Sequence, residues 1–430
     1  MKKRAQLTLG EKIRQIREAK GLSQVNIAAI LNCSNALVSR MELGSSEIDS
    51  EKLTTIRKAL GIENAPLTKH ELEAYTNRLW LWHEMVVSER LSEAKDMKKL
   101  LATILDLPYE RDLILIYVLI ETLMLYRERF TAGTAGFLKK FEEAEALFVP
   151  DEASPEAAFL YHRNKGYQLY THKDYKNAVY HYLKVLDIDS DVLKPDAQIY
   201  AGIGYILQQN AYIVNATLYL ERAKMSTGIE RSQSLWAKTD AALATCYAYL
   251  GNYKKAHELT ESSLAYFKNV NDRLHIGLIL GNKGCRYKDE GDLNEALSCL
   301  DQSQMYFEHP NAHTLLNKAE CLRKMNKLAM AKEAIEEGMA LVQADDELTI
   351  LFKSQLHLMT IDTAESAEYL HNVVVPFLFS SHSGLARCDA LRVLKELESH
   401  YTKKGTAKKT AEIVSAIRDF YDIMLYGGAR

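Results

Sequence analysis

The chain has few of the residues that break helices or cross-link small folds. It contains seven prolines and twenty glycines in 430 residues, and its six cysteines form no CxxC pair. Such scattered cysteines argue against a disulfide framework or a zinc site and are typical of a reduced, cytosolic protein. The most apolar stretch, residues 113–125, is too short to span a membrane and is interrupted by Glu121 and Thr122. No secretory signal follows Met1, so we expect a cytoplasmic protein without a membrane partner.

Recognisable catalytic motifs are also missing from the sequence. It contains no glycine-rich phosphate loop, no HExxH and no GxSxG. Three histidines, His162, His172 and His181, fall close together, but their spacing would spread them over two helices and a turn. We therefore predict no catalytic residue, no metal site and no cofactor.

What the chain does have is helical periodicity and an uneven charge. Apolar residues recur at helical spacing almost throughout, and the length is too great for one compact core. Residues 1–65 carry a net charge of +4, while the remainder carries −7. A basic N-terminus on an acidic body predicts that contact with nucleic acid is confined to the N-terminus.

The first sixty residues have the pattern of a helix-turn-helix domain. A first helix is predicted over Leu9–Ala19, and Ser23 caps a second helix that runs to Leu31. Ala28 provides the small side chain that two crossing helices require. Asn32 and Cys33 form the turn, and the next residue, Ser34, caps a third helix that can lie in a DNA major groove.

This segment resembles the Cro/C1-type (Xre) family of helix-turn-helix domains. The resemblance rests on the following residues: Gly10, Arg17, Gly21, Leu22, Ser23, Gln24, Ala28, Ser34, Ser39, Arg40, Glu42 and Gly44. It implies a salt bridge between Arg17 and Glu42, and a phosphate contact at Gln24. Asparagine can read adenine, and arginine can read guanine or hold a phosphate. The candidate DNA-binding residues are Gln24, Ser34, Asn35, Ala36, Ser39 and Arg40.

From residue 157 onward a repeat emerges, in which a small residue is followed twelve positions later by alanine. The pairs are Gly166/Ala178, Gly204/Ala216, Ala244/Ala256, Gly284/Ala296 and Ala319/Ala331. Small residues at such positions allow two antiparallel helices to touch. The pattern resembles the tetratricopeptide repeat, and segments 70–150 and 345–428 are read as divergent repeats and a terminal cap. The predicted fold is all-α: a helix-turn-helix domain followed by a right-handed tetratricopeptide-repeat superhelix.

The position two residues before each small residue is asparagine in three of five repeats, at Asn164, Asn282 and Asn317, and Gly202 and Ala242 interrupt the row. An amide offers a donor and an acceptor, so such a row can pair with the main chain of an extended peptide. A structural alternative is that these are ordinary solvated asparagines. The candidate peptide-binding residues are Asn164, Tyr167, Tyr205, Gln208, Thr245, Asn282, Asn317 and Arg323.

The combination of the two parts resembles the RRNPP family of quorum-sensing regulators. The resemblance implies a short oligopeptide signal in the repeat groove, a homodimer or tetramer, and a double-stranded DNA operator. Expected domains are 1–65 for DNA binding, 66–75 as linker, and 76–430 for peptide binding and dimerisation. Two alternatives stay open: a scaffold that binds a protein partner, and a bifunctional relative that acts on a response regulator through a glutamine. The second is weakened because Gln168, Gln208 and Gln209 fall late in the chain.

Overall fold

The computed structural model describes residues 9–60, 67–88, 90–107, 110–132, 135–190, 192–226, 233–343, 347–380 and 384–426. Every regular element in these ranges is a helix, which confirms the all-α class. A 3₁₀ turn lies at Ala102–Asp106 and a π-helical turn at Leu370–Val374. The helices are α1 (Leu9–Ala19), α2 (Gln24–Ile30), α3 (Asn35–Glu42), α4 (Ser50–Ala59), α5 (Lys69–Val87), α6 (Leu91–Leu101), α7 (Arg111–Ala132), α8 (Ala135–Leu147), α9 (Pro155–Thr171), α10 (Tyr175–Leu186), α11 (Ala197–Gln209), α12 (Ile213–Met225), α13 (Gln233–Tyr249), α14 (Tyr253–Asn269), α15 (Arg273–Glu290), α16 (Leu293–Gln304), α17 (Ala312–Lys324), α18 (Leu328–Ala340), α19 (Glu347–Met359), α20 (Ala364–Tyr369), α21 (Val375–Ser380), α22 (Gly384–Lys403) and α23 (Ala407–Tyr426).

These helices divide into two compact units. The first comprises Met1–Gln168 and His181–Lys194, and the second comprises Leu169–Tyr180 and Pro195–Arg430. Helix α5 begins at Lys69, within the segment 66–75 that the sequence suggested as a linker. The division by function at residues 65 and 75 stays a prediction.

Helices α1 to α4 of the first unit form the helix-turn-helix domain, with the predicted helices and caps. The Ser23 hydroxyl accepts a hydrogen bond from the main-chain N–H of Asn26, and Ser34 accepts one from the N–H of Leu37. Caps of this kind satisfy N–H groups that have no partner within the helix. The buried core of the domain consists of Ile13, Ile16, Ile27, Ala28, Val38, Leu53, Ile56 and Leu60.

Gly10 fixes how closely the first helix approaches the third. A Cβ atom at this position would lie 1.9 Å from the carbonyl oxygen of Met41 and 2.9 Å from the backbone of Glu42. Backbone atoms cannot move aside as a flexible side chain can, so only glycine fits here. The glycine of the family pattern therefore has a packing reason.

The remaining helices of the first unit bury the most apolar part of the chain. Helix α7 runs from Arg111 to Ala132, and its Leu113, Leu119 and Ile120 are buried. Trp82 of α5 is fully buried and packs against Tyr117 of α7, with ring centroids 4.9 Å apart. Among the described helices, none combines the length and the apolar character that crossing a membrane requires.

The second unit is a helical repeat array, as predicted. Four consecutive hairpins, α11/α12, α13/α14, α15/α16 and α17/α18, pack side by side. The small residues lie where the two helices of a pair touch: a Cβ atom on Gly204 would lie 2.5 Å from Leu220 Cγ, and one on Gly284 would lie 2.7 Å from Leu300 Cγ. Equivalent residues of five intra-pair turns adopt positive φ values, and their separation follows the repeat of the sequence: Lys173, Ala211, Gly251, Gly291 and Asn326.

Candidate DNA-binding and peptide-binding surfaces

Helix α3 presents a polar face to solvent. Ser34, Asn35, Ala36 and Arg40 are exposed, and Ser39 is half-buried. Val38 and Met41 on the opposite side are buried in the domain core. The amide and the guanidinium are therefore available to base edges or phosphates, which is the arrangement that a recognition helix requires.

Behind this face lies a buried ion pair. Arg17 Nε lies 2.6 Å from Glu42 Oε1, and Arg17 Nη2 lies 3.0 Å from Oε2, so the contact is bidentate. The hydrogen bonds that Arg17 donates to Glu42 raise the pKa of Arg17. The salt bridge that the family resemblance implied is confirmed, and it fixes α1 to the end of α3.

The side chain of Gln24, predicted to contact a DNA phosphate, already has a partner within the domain. Its Nε2 donates to Glu42 Oε2 at 2.7 Å, and the residue is half-buried. To bind a phosphate, this amide would have to break its bond to Glu42 or donate its second N–H to the phosphate. The contact also explains how the start of α2 is held against α3.

One carboxylate joins the helix-turn-helix domain to the rest of the first unit. Glu110, just before α7, lies 2.7 Å from Lys12 Nζ of α1 and accepts a hydrogen bond of 3.0 Å from the Leu67 main-chain N–H. The Glu110 side chain is almost fully buried. A second contact joins Arg57 of α4 to Glu71 of α5 at 3.3 Å. The orientation of the domain is thus set by specific polar contacts, since a buried carboxylate needs its partners.

In the second unit, helix α22 lies across the C-terminal ends of the first helices of the hairpins. Arg387 Nη2 donates to the carbonyl of Asn210 at 2.7 Å. Arg392 lies over the ring of Tyr249 at 5.6 Å and binds Asp289 at 2.7 Å. Farther along α22, Glu396 accepts from Arg323 at 2.7 Å and lies 3.9 Å from Lys324.

These contacts identify one face of the repeat helices. On each of these helices, the residues three or four positions apart, counted back from Tyr249, Asp289 or Lys324, lie on one side of the helix. That side is the one that faces α22. We call this line on α13, α15 and α17 the inner face. It carries most of the residues that the sequence suggested for peptide binding.

A buried charge network occupies the C-terminal half of the inner face. Lys288 Nζ, which is fully buried, lies 2.7 Å from Asn317 Oδ1 and 2.5 Å from Glu320 Oε2. Lys324 Nζ lies 2.7 Å from the other oxygen of Glu320. Burial alone would raise the pKa of Glu320, but Lys288 and Lys324 outweigh burial and hold that pKa well below its usual range. The network is fixed in its ionised form at neutral pH.

Most of the predicted peptide-binding residues in this unit already have partners. Asn317 also donates to the His313 carbonyl at 2.8 Å, and Arg323 Nε donates to Gln355 at 2.9 Å. Three others contact neighbouring residues of the array. Gln208 donates to the Ala242 carbonyl at 3.0 Å, Tyr205 OH lies 3.3 Å from Thr239 Oγ1, and Thr245 donates to the Ala241 carbonyl at 3.2 Å.

Two predicted residues belong to the first unit and are buried there. Asn164 donates to the Leu119 carbonyl at 2.9 Å, and Tyr167 packs against Tyr126 with ring centroids 3.8 Å apart. Their positions in the repeat are equivalent to those of Asn282 and Cys285, but α7 covers them. A peptide would have to displace these contacts to reach either side chain.

Asn282 is the exposed member of the asparagine row. One and two turns earlier on the same line lie Leu278 and Leu274, which are 45% and 54% exposed. Sequence reasoning missed both leucines. Their spacing of four residues from each other and from Asn282 could have revealed them.

The histidine group separates into two parts. His162 and His181 face each other in the first unit with their Nδ1 atoms 2.8 Å apart, and His172 belongs to the second unit. Burial, followed by the neighbouring His181, lowers the pKa of His162 to about 4. A contact of this length between two ring nitrogens requires one N–H donor and one unprotonated acceptor.

Comparison with known proteins supports both parts. Residues 13–63 match the family model described as Helix-turn-helix, and no curated protein matches the chain. A Rap protein complexed with competence and sporulation factor is similar, with a TM-score of 0.63, 16% identity, and coverage of 82% of this chain and 98% of that chain. The apo form of the quorum sensor NprR from B. thuringiensis gives a TM-score of 0.60, 16% identity, and coverage of 81% and 99%.

NprR in complex with its cognate peptide NprX is similar to the same extent, with a TM-score of 0.61, 16% identity, and coverage of 82% and 98%. At this level of identity the likeness concerns the fold. The chain therefore carries an Xre-type helix-turn-helix domain on the fold of the Rap and NprR proteins, and its predicted resemblance to the RRNPP regulators is confirmed at the level of fold.

Proposed function

We propose that the chain is a cytoplasmic transcriptional regulator, and not an enzyme, whose binding to a DNA operator is controlled by a short signalling peptide. The observation that carries the proposal is the exposed face of α3, with Asn35 and Arg40, in a chain whose second unit is a helical repeat array. The DNA-binding residues proposed are Gln24, Ser34, Asn35, Ala36, Ser39 and Arg40.

The peptide would lie on the inner face of the repeat array, where Asn282 is exposed. The solved Rap and NprR structures include complexes with a competence and sporulation factor and with the peptide NprX, which makes a peptide the first ligand to test. The other predicted residues contribute after rearrangement of their present contacts. Such a rearrangement couples peptide binding to the array, because several of these bonds, such as those of Gln208 and Arg323, join neighbouring helices.

The regulator would act as a homodimer or tetramer, since two heads at a fixed spacing can read two half-sites. A peptide that prefers one arrangement of the array need supply only about 1–3 kcal/mol to shift operator affinity. The free cysteines fit a reducing compartment, and burial raises the pKa of Cys246 and Cys388 to about 12, which keeps their thiols unreactive.

The DNA-binding half is tested by selecting duplexes from a randomised library and measuring their affinity. Arg40→Ala is expected to weaken binding of the selected duplex by about 1–3 kcal/mol, which is roughly 5- to 150-fold in Kd. Arg14→Ala removes another exposed arginine, which lies on α1, and is the matched control. Equal losses in the two variants would mean that α3 is not the recognition helix.

The peptide-binding half is tested by calorimetry with synthetic peptides encoded by short reading frames beside the gene. Asn282→Ala is expected to abolish the peptide response and to leave DNA affinity unchanged. A response that survives the substitution would remove Asn282 from the site. Silence against all such peptides would favour the scaffold alternative.

A further inference from the structure

The inner face of the second unit carries one apolar patch, formed by Leu274 and Leu278, among polar positions. Leu274 and Leu278 of α15 are about half exposed, although each has a side chain that burial would stabilise. The equivalent residues, forty positions earlier on α13, are Ser234 and Lys238. The equivalent residues on the α17 side are His309 and His313, both exposed. Among the described residues of this line on α13, α15 and α17, the exposed leucines therefore lie on α15.

This apolar patch lies beside the Asn282 amide, which can form hydrogen bonds with the main chain of a bound peptide. Asn282 is exposed one turn after Leu278, which places the two about 6 Å apart along the helix. The C-terminal half of the same line is filled by the network of Lys288 and Glu320 and is crossed by α22. The open part of the inner face is thus the N-terminal half of each helix.

Among the described positions of the line, the side chains of this open half that can carry a charge are Lys238 of α13, His309 and His313. The carboxylates of the line, Asp289 and Glu320, lie in the other half. Neighbouring helix axes are about 8–10 Å apart, and an extended chain advances about 3.3 Å per residue. A chain that crosses from α15 to α13 therefore spans the distance in about three residues.

Building on the proposed peptide response, we propose that Leu274 and Leu278 form an apolar subsite that determines which peptides the array accepts. The occupant is a short extended peptide with an apolar side chain on these two leucines and its main chain on the Asn282 amide. It carries a carboxylate about three residues away, opposite Lys238. Leucines so exposed beside an amide and a cation match such a ligand in shape and charge.

The test is an mRNA-display selection of randomised nonapeptides on the full-length protein. The wild-type protein is expected to enrich peptides with an apolar residue about three positions from an acidic residue. The double variant Leu274→Asn/Leu278→Asn should lose the apolar preference and bind the selected peptides at least roughly tenfold more weakly. Leu218→Asn makes the same change at a 62% exposed leucine on α12 and should retain wild-type binding.

Because both leucines are about half exposed, the double variant should stay folded, and each replacement should lower the melting temperature no more than Leu218→Asn does. Leu278→Glu is a second variant that adds a repulsive charge, and it should select against acidic peptides. Peptides that depend on Asn282 but bind the leucine variants equally well would overturn the subsite and leave the peptide response standing. If no peptide is enriched, both the subsite and the peptide response would be overturned, because this face would have no peptide ligand. A loss of self-association in the double variant would also overturn both, because a second copy of the chain would then cover this face.

Discussion

Replacing Lys288 by methionine should destabilise the second unit. The ammonium group is fully buried between Asn317 and Glu320, and methionine keeps the apolar stem while removing the charge. Removing one partner of a buried pair typically costs 3–5 kcal/mol, because the remaining charge stays desolvated. Lys324 still contacts Glu320 at 2.7 Å, so we expect a loss near the lower limit, about 3 kcal/mol.

The measurement is urea denaturation followed by circular dichroism at neutral pH. Lys332→Met is the matched control, because this lysine of α18 is exposed and lies 3.8 Å from Glu336. Exposed pairs of this kind contribute about 0.3–0.5 kcal/mol. A difference between the two variants of less than about 1 kcal/mol would refute the argument that the Lys288 network is a desolvated ion pair.

A double variant and a pH series sharpen the same test. Adding Glu320→Met to Lys288→Met removes the buried carboxylate that has lost its Lys288 partner, so the double variant should be more stable than the single one. The pKa of Glu320 is depressed in the wild-type protein, and loss of Lys288 should raise it. The single variant can then take up a proton at mildly acidic pH, so its deficit should be largest at neutral pH and shrink as the pH falls. A deficit that does not change with pH would contradict the assignment of the charge.

Three further outcomes follow from the geometry. Gly284→Ala should cost about 1–3 kcal/mol in urea denaturation, because its methyl group meets Leu300 and the Ala296 carbonyl, whereas Gly136→Ala meets nothing within 4 Å and should be neutral or slightly stabilising. The pKa of His162 is lowered to about 4, so the folded first unit favours the neutral imidazole. This contribution to stability, at most about 3 kcal/mol, is present above pH 6.5 and is lost as the pH falls from 6.5 to about 4. His162→Phe should remove that part of the pH dependence of unfolding. Glu110→Gln should accelerate hydrogen exchange in α1 without lowering the melting temperature of the second unit, and unchanged exchange would mean that Lys12 does not hold the domain.

Local pattern was enough to predict the helix-turn-helix domain. Its helices, the caps at Ser23 and Ser34, and the Arg17–Glu42 pair depend on residues within about forty positions of each other. The repeat period was likewise readable, because small residues such as Gly204 and Gly284 must occupy the points where paired helices touch. The small residues recur in successive repeats, so each repeat supports the assignment of the others.

The sequence could not tell which asparagines of the row are free. Asn164 is covered by α7, and Asn317 is engaged by Lys288, whereas Asn282 is exposed. All three occupy the same position in the repeat, so local pattern treats them alike. Their difference comes from helices that are distant in sequence or from single charged neighbours.

The sequence by itself determined the all-α class, the Xre-type head and the repeated helical hairpins, because periodicity, caps and close contacts are encoded over short distances. The tertiary structure decided where α22 lies, which half of the inner face stays open and which polar groups are buried. Arg392 reaches Asp289 across about a hundred residues of chain, and no local signal marks such a pairing. The site proposed around Asn282 and the two leucines therefore emerges only when the C-terminal helix is placed against the array.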